Sequence, residues 1–412
     1  MKWLIKTYML LLIMKPFRVG ITLLILLACI GQTNGQKVRR IAESARVSDK
    51  RDRLKLESDQ MVKIMALKRG KRNLSKVLSP NSCGNLAITP AELANMETTS
   101  SFIVNYSGFT AKAQTAFQYA VDIWSKIITA DIPIEINASF TPLGPDVLGA
   151  AGPEFIFKDF SNAPLASTWY PEALAQQYAG MDLSGADISA TFSSVFSNWY
   201  YGLDGCPGAD EFDFVTVVMH EIGHGLGFFG SATPEFFGSP IFDFLGCFGF
   251  TADNFNLHPT IFDLFVEDGT GLRFRDIDPD FCYDAVLDAI TGDDLFFSGD
   301  SINACYGQPI PLYAPSTWES GSSFSHFDET TFTGVQEHAL MTPFISPGEA
   351  IHEPGCSRAL LADLGFATHD FIPLPPRQAA IPTLDQWAIF LLGLNLLIFG
   401  VNFLRVRGVS MS

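Results

Sequence analysis

Between residues 100 and 140 the hydrophobic pattern of the chain changes period twice. Ser101–Tyr106 reads as a strand. Ala111–Thr129 then places Phe117, Ala120, Val121, Trp124, Ile127 and Ile128 at helical spacing, and Pro133–Phe140 returns to alternation at Ile134, Ile136 and Ala138. Strand, helix and strand in so short a span predict a parallel pair joined by a right-handed crossover. Asp187–Phe192 is a further short strand, Phe212–Phe228 a strongly apolar helix, and Ser357–Leu364 a short closing helix. From Gly230 to Ser325 the sequence is turn-rich and aromatic-rich, with few clear periods. No repeat is visible, and the expected class is α+β.

Both ends carry longer apolar runs. At the N-terminus, Lys2, Lys6, Lys15 and Arg18 flank apolar stretches ending near Ala28, the pattern of a secretory signal peptide over 1–35 with Met14 as an alternative start. Leu26-Leu27-Ala28-Cys29 loosely resembles a lipoprotein box. At the C-terminus, the run Trp387–Leu404 is long enough to span a bilayer, although Asn395 and Asn402 interrupt it. Arg405 and Arg407 after it predict a cytoplasmic tail and an outward-facing body. The order Ile381-Pro382-Thr383-Leu384, Trp387, apolar span and basic tail resembles the IPTL-type C-terminal sorting signal of Gram-negative bacteria. That resemblance covers 381–407. It implies an exosortase-like membrane enzyme as partner, removal of the tail, and a final place at the cell surface, in the outer membrane or outside the cell. Pro373–Arg377 begins the linker, 371–380, that leads to this signal.

Charge divides the rest. Residues 36–80 hold 14 Lys and Arg against 5 Asp and Glu, whereas residues 81–380 hold 7 against 38. So acidic a body repels phosphate backbones, which excludes nucleic acid as a natural partner. The basic stretch 36–82 reads either as a pro-segment covering an acidic cleft until cut near Lys71-Arg72, or as a solvated linker. Export would place Cys83, Cys206, Cys247, Cys282, Cys305 and Cys356 in an oxidising compartment, where they can form three disulfides of unspecified pairing.

The chemistry concentrates in Val217-Val218-Met219-His220-Glu221-Ile222-Gly223-His224, which contains His-Glu-x-x-His. Four residues along a helix bring both imidazoles to one face, where they can share a zinc ion. Glu221 projects beside them, placed to act as general base toward a zinc-activated water. Three polar side chains on so apolar a stretch are expensive to bury without a partner, and a metal is the obvious one. Gly225, Gly227 and Gly230 crowd the helix end and suit a sharp turn. Zinc needs a third protein ligand, and His258, His326, His338, His352 and His369 are the remaining histidines.

Residues 100–370 resemble the metzincin metallopeptidases through His220, Glu221, His224 and Gly227. Where that pattern has its third histidine, this chain has Gly230. A long insertion before the third His is a feature of the leishmanolysin-like group, which the chain resembles in this respect. Ser322–Glu329 (Ser-Ser-Phe-Ser-His-Phe-Asp-Glu) is followed by Ala339-Leu340-Met341-Thr342-Pro343, similar to the family's Met-turn. The resemblance implies His326 as third ligand, ahead of His338, and Met341 as an apolar floor beneath one catalytic zinc. It implies a two-lobed catalytic domain over 83–370 with a mixed twisted sheet, an active-site helix and a Met-turn. Asp187–Phe192 would edge the cleft and take an extended protein or peptide substrate as an added strand. No tyrosine follows Met341, so no tyrosine role is carried over.

Two other groups invite a metal. Asp276, Asp278 and Asp280 could bind calcium but lack EF-hand spacing and read better as a solvated loop. Cys83 could ligate zinc in a latent form, although a disulfide suits it better. The expected activity is therefore that of an exported or surface-sorted zinc endopeptidase. The alternatives are a surface adhesion or structural protein using zinc for stability only, and a zinc hydrolase of non-peptide bonds.

Overall fold

A computed structural model describes residues 52–56, 61, 65–70, 88–234, 246–250, 257–277, 282–334 and 336–369. Every element named below belongs to one compact unit that begins at Leu54. The expected signal peptide at 1–35, the linker at 371–380 and the sorting signal at 381–412 lie outside the described residues. Among the described residues no helix is long and apolar enough to cross a membrane.

The principal elements are β1 (Ala66–Arg69), α1 (Pro90–Ala94), β2 (Phe102–Ser107), α2 (Ala111–Ile127), β3 (Ile134–Thr141), β4 (Val147–Pro153), α3 (Glu172–Ala179), β5 (Ile188–Ser193) and α4 (Phe214–Leu226). The chain continues through β6 (Val266–Asp268), β7 (Leu295–Phe297), α5 (Asp300–Tyr306), β8 (Ile310–Pro311), β9 (Phe344–Ile345) and α6 (Ser357–Leu364). Six strands form a mixed sheet in the order β9-β1-β4-β5-β3-β2. Only β4 runs against its neighbours. Strands β6, β7 and β8 make a separate small antiparallel sheet. The molecule is thus α+β with a mixed sheet.

The strand–helix–strand expectation is met: β2 and β3 pair in parallel around the crossover helix α2. The apolar stripe of α2 is buried, with Phe117, Ala120, Val121, Trp124 and Ile127 all inaccessible or nearly so. The indole N–H of Trp124 donates to the Met219 carbonyl at 3.0 Å, fastening α2 to α4. Edge-to-face contacts of Phe192 with Phe117 and Phe214 fill the space where β5, α2 and α4 meet.

Two expectations change. The segment Asp187–Phe192 is no cleft edge, because β5 pairs with β3 on one side and β4 on the other. Its ladder groups are already used, leaving nothing for a peptide to join. The strand beside the motif helix is β4 (Val-Leu-Gly-Ala-Ala-Gly-Pro), which is buried and made of small residues. The sheet also recruits β1 from the basic 36–82 stretch, so the folded body extends N-terminal of the boundary expected at Cys83.

Cys305 and Cys356 form a disulfide joining α5 to the start of α6 across a sequence separation of 51. Cys206 and Cys247 are disulfide-bonded as well, and Cys83 lies outside the described residues.

Candidate metal centre

Helix α4 begins at Asp213, whose Oδ2 accepts from the Thr216 N–H at 2.8 Å and from its hydroxyl at 2.6 Å. The same oxygen pairs with His352 Nε2 at 2.7 Å, and the Thr216 hydroxyl accepts from the Ile351 N–H at 2.7 Å. An N-cap carboxylate of this kind satisfies donors that a helix start leaves unpaired. Here it also ties the helix to the chain near Ile351. The helix ends at Gly227, whose φ of 124° a residue with a side chain rarely adopts.

Every residue of α4 is buried, including His220, Glu221 and His224. The ring nitrogens of His220 and His224 converge with that of His326. The Nε2 atoms of His220 and His224 lie 2.9 Å apart, those of His224 and His326 3.2 Å, and those of His326 and His220 3.3 Å. Each Nδ1 is turned outward onto a backbone carbonyl: His220 to Leu340 at 2.7 Å, His224 to Phe228 at 2.6 Å and His326 to Ser322 at 2.8 Å. A carbonyl can only accept, so each Nδ1 carries the proton and each Nε2 presents a lone pair. Three lone pairs aimed at one buried point repel one another unless a cation sits between them. Ring nitrogens about 2.0–2.1 Å from a tetrahedral ion stand about 3.3 Å apart, close to the observed triangle. The set can hold a metal ion, and it is the one group of His, Cys, Asp or Glu among the described residues that fits this role.

Electrostatics agree with ligation. Burial lowers the His220 pKa to about 4, opposed by its bond to Leu340. Burial, then the neighbouring imidazoles, hold His224 and His326 well below the usual range. All three are neutral donors at neutral pH, as metal binding requires. Burial pushes the Glu221 carboxyl well above its ordinary range, against the backbone groups of Leu67 and Ala151. Its Oε1 accepts from the Leu67 N–H at 3.3 Å, and its Oε2 is buried without a hydrogen-bond partner among the described residues. Gly149 of β4 lies flat against it: a Cβ there would come 3.0 Å from both Cγ and Oε1.

Gly230 cannot be exchanged for a ligand. A Cβ on it would stand 1.9 Å from Phe324 Cε1. Its N–H donates to Ser325 Oγ at 3.1 Å, next in sequence to His326. Phe324 itself holds a positive φ of 74°, so the 322–326 turn is shaped by tertiary contacts rather than local preference. Met341 is fully buried, and a Cβ at Gly223 would meet its Sδ at 2.8 Å. The carbonyl of Leu340, one residue earlier, is the acceptor that orients His220.

The other histidines go elsewhere. His338 lies beside the Cys305–Cys356 bridge, with Nδ1 accepting from the Cys356 N–H at 3.3 Å. His352 holds Asp213. His258 and His369 make backbone pairings with Phe250 and Ile127. Asp276 is exposed and pairs loosely with Arg275 at 3.9 Å, whereas Asp278 and Asp280 lie outside the described residues. Sequence reasoning missed Leu67 and the Asp213–His352 clamp. Asp213 before an apolar run was a readable cap signal, but nothing marked its partner.

Residues 98–245 match a family model described as SPBPB7E8-like. That stretch holds four of the six sheet strands and the helix with His220 and His224, but stops short of His326. No curated protein and no solved structure matches the chain.

Proposed function

We propose that the protein is a zinc-dependent endopeptidase of metzincin type, exported and sorted to the cell surface or beyond. The observation carrying this reading is the convergence of three Nε2 lone pairs, with Glu221 buried one residue beyond His220 on the same helix. Imidazole donors with one position left open suit zinc. Zinc, when bound, would act as Lewis acid toward the scissile carbonyl and activate the attacking water.

His220, His224 and His326 would hold the ion, oriented by the carbonyls of Leu340, Phe228 and Ser322. Such outer partners fix the ring orientation that ligation needs. Glu221 would take the proton of the attacking water and deliver it to the leaving amine nitrogen. The turn through Met341 supports the metzincin reading, because it packs beneath the motif helix and supplies the Leu340 carbonyl. Export accords with the four bridged cysteine positions Cys206, Cys247, Cys305 and Cys356. The C-terminal apolar span would hold the protein at the membrane until a sorting enzyme removes it.

Hydrolysis of an unfolded protein substrate by the full chain, before and after limited tryptic digestion, tests the reading beside Glu221→Gln. The expected result is zinc held one to one by both proteins and cleavage by the unsubstituted chain only. Loss of the base should lower kcat by about two to four orders of magnitude. Equal cleavage by both would remove Glu221 from the mechanism. Bound zinc with no cleavage under any condition would favour the site as a stabilising device in an adhesion or structural protein.

A further inference from the structure

His326 stands on a turn that belongs to no helix or strand. Gly321 and Phe324 hold φ of 81° and 74° there. The backbone of 319–323 folds back on itself: the Ser322 and Ser323 N–H groups both donate to Glu319 O at 2.9 Å, and the Glu319 N–H donates to Ser323 Oγ at 3.0 Å. The Ser322 carbonyl, on which the His326 imidazole is turned, therefore points wherever residues 319–321 are held.

Two walls hold them. On one side the Tyr313 hydroxyl donates to Glu319 Oε1 at 3.2 Å, and the Tyr313 N–H donates to His326 O at 2.9 Å. On the other side stands β1. Its Ala66 N–H donates to Gly321 O at 3.0 Å, its Lys68 N–H donates to Pro343 O at 3.2 Å, and the Lys68 ammonium reaches Ser320 O within the field of the Glu319 carboxylate. A charged donor makes a bond roughly twice as strong as a neutral one. Lys68 is half-buried, so its ammonium has exchanged part of its water for these partners. Its charge is also felt at the metal centre. After burial and the other two imidazoles, Lys68 adds to what keeps His326 below the usual range.

We propose that Lys68 is a positioning residue for the metal centre: held on the Ser320 carbonyl beside Glu319, its ammonium fixes the turn whose Ser322 carbonyl orients the imidazole of His326. The inference rests on the reading of His220, His224 and His326 as zinc ligands. It makes β1 a working part of the centre rather than a cover over it. The sign of the effect separates this role from that of a bare charge. A cation near the site repels zinc, so by charge alone the removal of Lys68 should tighten binding. Positioning predicts the reverse, because an imidazole that loses its orientation binds more weakly.

The test uses the full chain, stripped of metal and titrated with zinc against a competing chelator. A second sample is loaded with cobalt(II), whose visible bands report ligand number and geometry. Lys68→Met keeps the stem and its packing but loses the donor. Its zinc affinity should fall about 10–100-fold, and its cobalt bands should shift toward those of His326→Ala. Lys68→Arg keeps a charged donor and should restore both. An affinity unchanged or raised in Lys68→Met would overturn the proposal, as would a loss that Lys68→Arg shares in full. The melting temperature of the metal-free form shows whether Lys68→Met has folded. Where it has not, the unsubstituted chain decides. Coupling between two sites is reciprocal, so zinc should slow amide exchange at Ala66 and Lys68 as well as over 320–328. Slowing confined to 320–328 would overturn the proposal and leave the metal centre standing. No zinc bound by the unsubstituted chain would overturn the proposal and the zinc reading together.

Discussion

The sheet region ending in α4 and the region from Gly230 to Ile345 each supply part of one candidate metal centre, by opposite means. In the first, regular structure does the positioning. A single helix sets two imidazoles four residues apart, and its flank is fastened by α2 through Trp124 and by β4 through Gly149. In the second, the third imidazole stands on an irregular turn. That turn is held by a positive-φ phenylalanine, a hydroxyl bond to Gly230 and a serine carbonyl. A helix needs only its own ladder to keep ligand spacing. A turn of this kind keeps its shape only while distant segments stay in place.

The largest effect expected from that contrast comes from His326→Ala set beside His224→Ala. Both should fail to keep the zinc proposed for this site on dialysis, since two imidazoles cannot replace three. Their apoproteins should differ, however. Loss of His224 gives up its Nδ1 bond to the Phe228 carbonyl but leaves the backbone ladder of the helix to hold its shape, whereas loss of His326 removes the Nδ1–Ser322 bond that closes an irregular turn. Hydrogen exchange over 320–328 should therefore quicken more in His326→Ala. Identical exchange in the two variants would erase the distinction between the regions.

Next in size is the bridge Cys305–Cys356, which pins α5 to α6. The double substitution Cys305→Ala/Cys356→Ala should lower stability by about 2–5 kcal/mol, read by chemical denaturation. His338 leans on this bridge three residues before Met341. The loss should thus be felt first in the Gly230–Ile345 region, and a uniform loss across the sheet would count against the regional picture.

What could be read from the sequence follows the same division. The apolar pattern located β2, α2, β3, β5, α4 and α6 to within about two residues. The pattern of α2 and β3 is periodic because they bury one face against a neighbour, and α4 stands out because it is apolar along its length and buried on every side. Strand β4 escaped notice since its small residues are buried throughout and show no alternation. Strand β1 was hidden in a charge run whose composition suggested solvent, though Met65, Ala66 and Leu67 are buried there. His220, Glu221 and His224 declared themselves by spacing alone. His326 did not: a family resemblance nominated it, and three-dimensional convergence brings it to the others. The cleft edge was misplaced on β5 because strand order cannot be counted along a chain when β4 doubles back between its neighbours.

The smallest and sharpest comparison uses two glycines, one in each region. At Gly223, in the middle of α4, a methyl group would meet Met341 Sδ at 2.8 Å and Trp124 at 3.8 Å. A methionine side chain has rotatable bonds with which to withdraw, and alanine raises helix stability by about 1 kcal/mol over glycine. The two effects nearly cancel, so Gly223→Ala should change stability little. At Gly230 the methyl group would stand 1.9 Å from a Phe324 ring atom, and 2.9 Å from Asp263 Oδ1. Phe324 has no free direction: its backbone is held at positive φ, and its ring packs against Phe262 and Phe274. Overpacking there should cost about 1–3 kcal/mol. The displaced ring lies two residues before His326, so zinc affinity should fall as well, by about 10–100-fold. Zinc titration of both variants decides the point. Equal affinities would show the turn to be as self-sufficient as the helix, whereas a drop confined to Gly230→Ala would place the weak side of the metal centre in the irregular region.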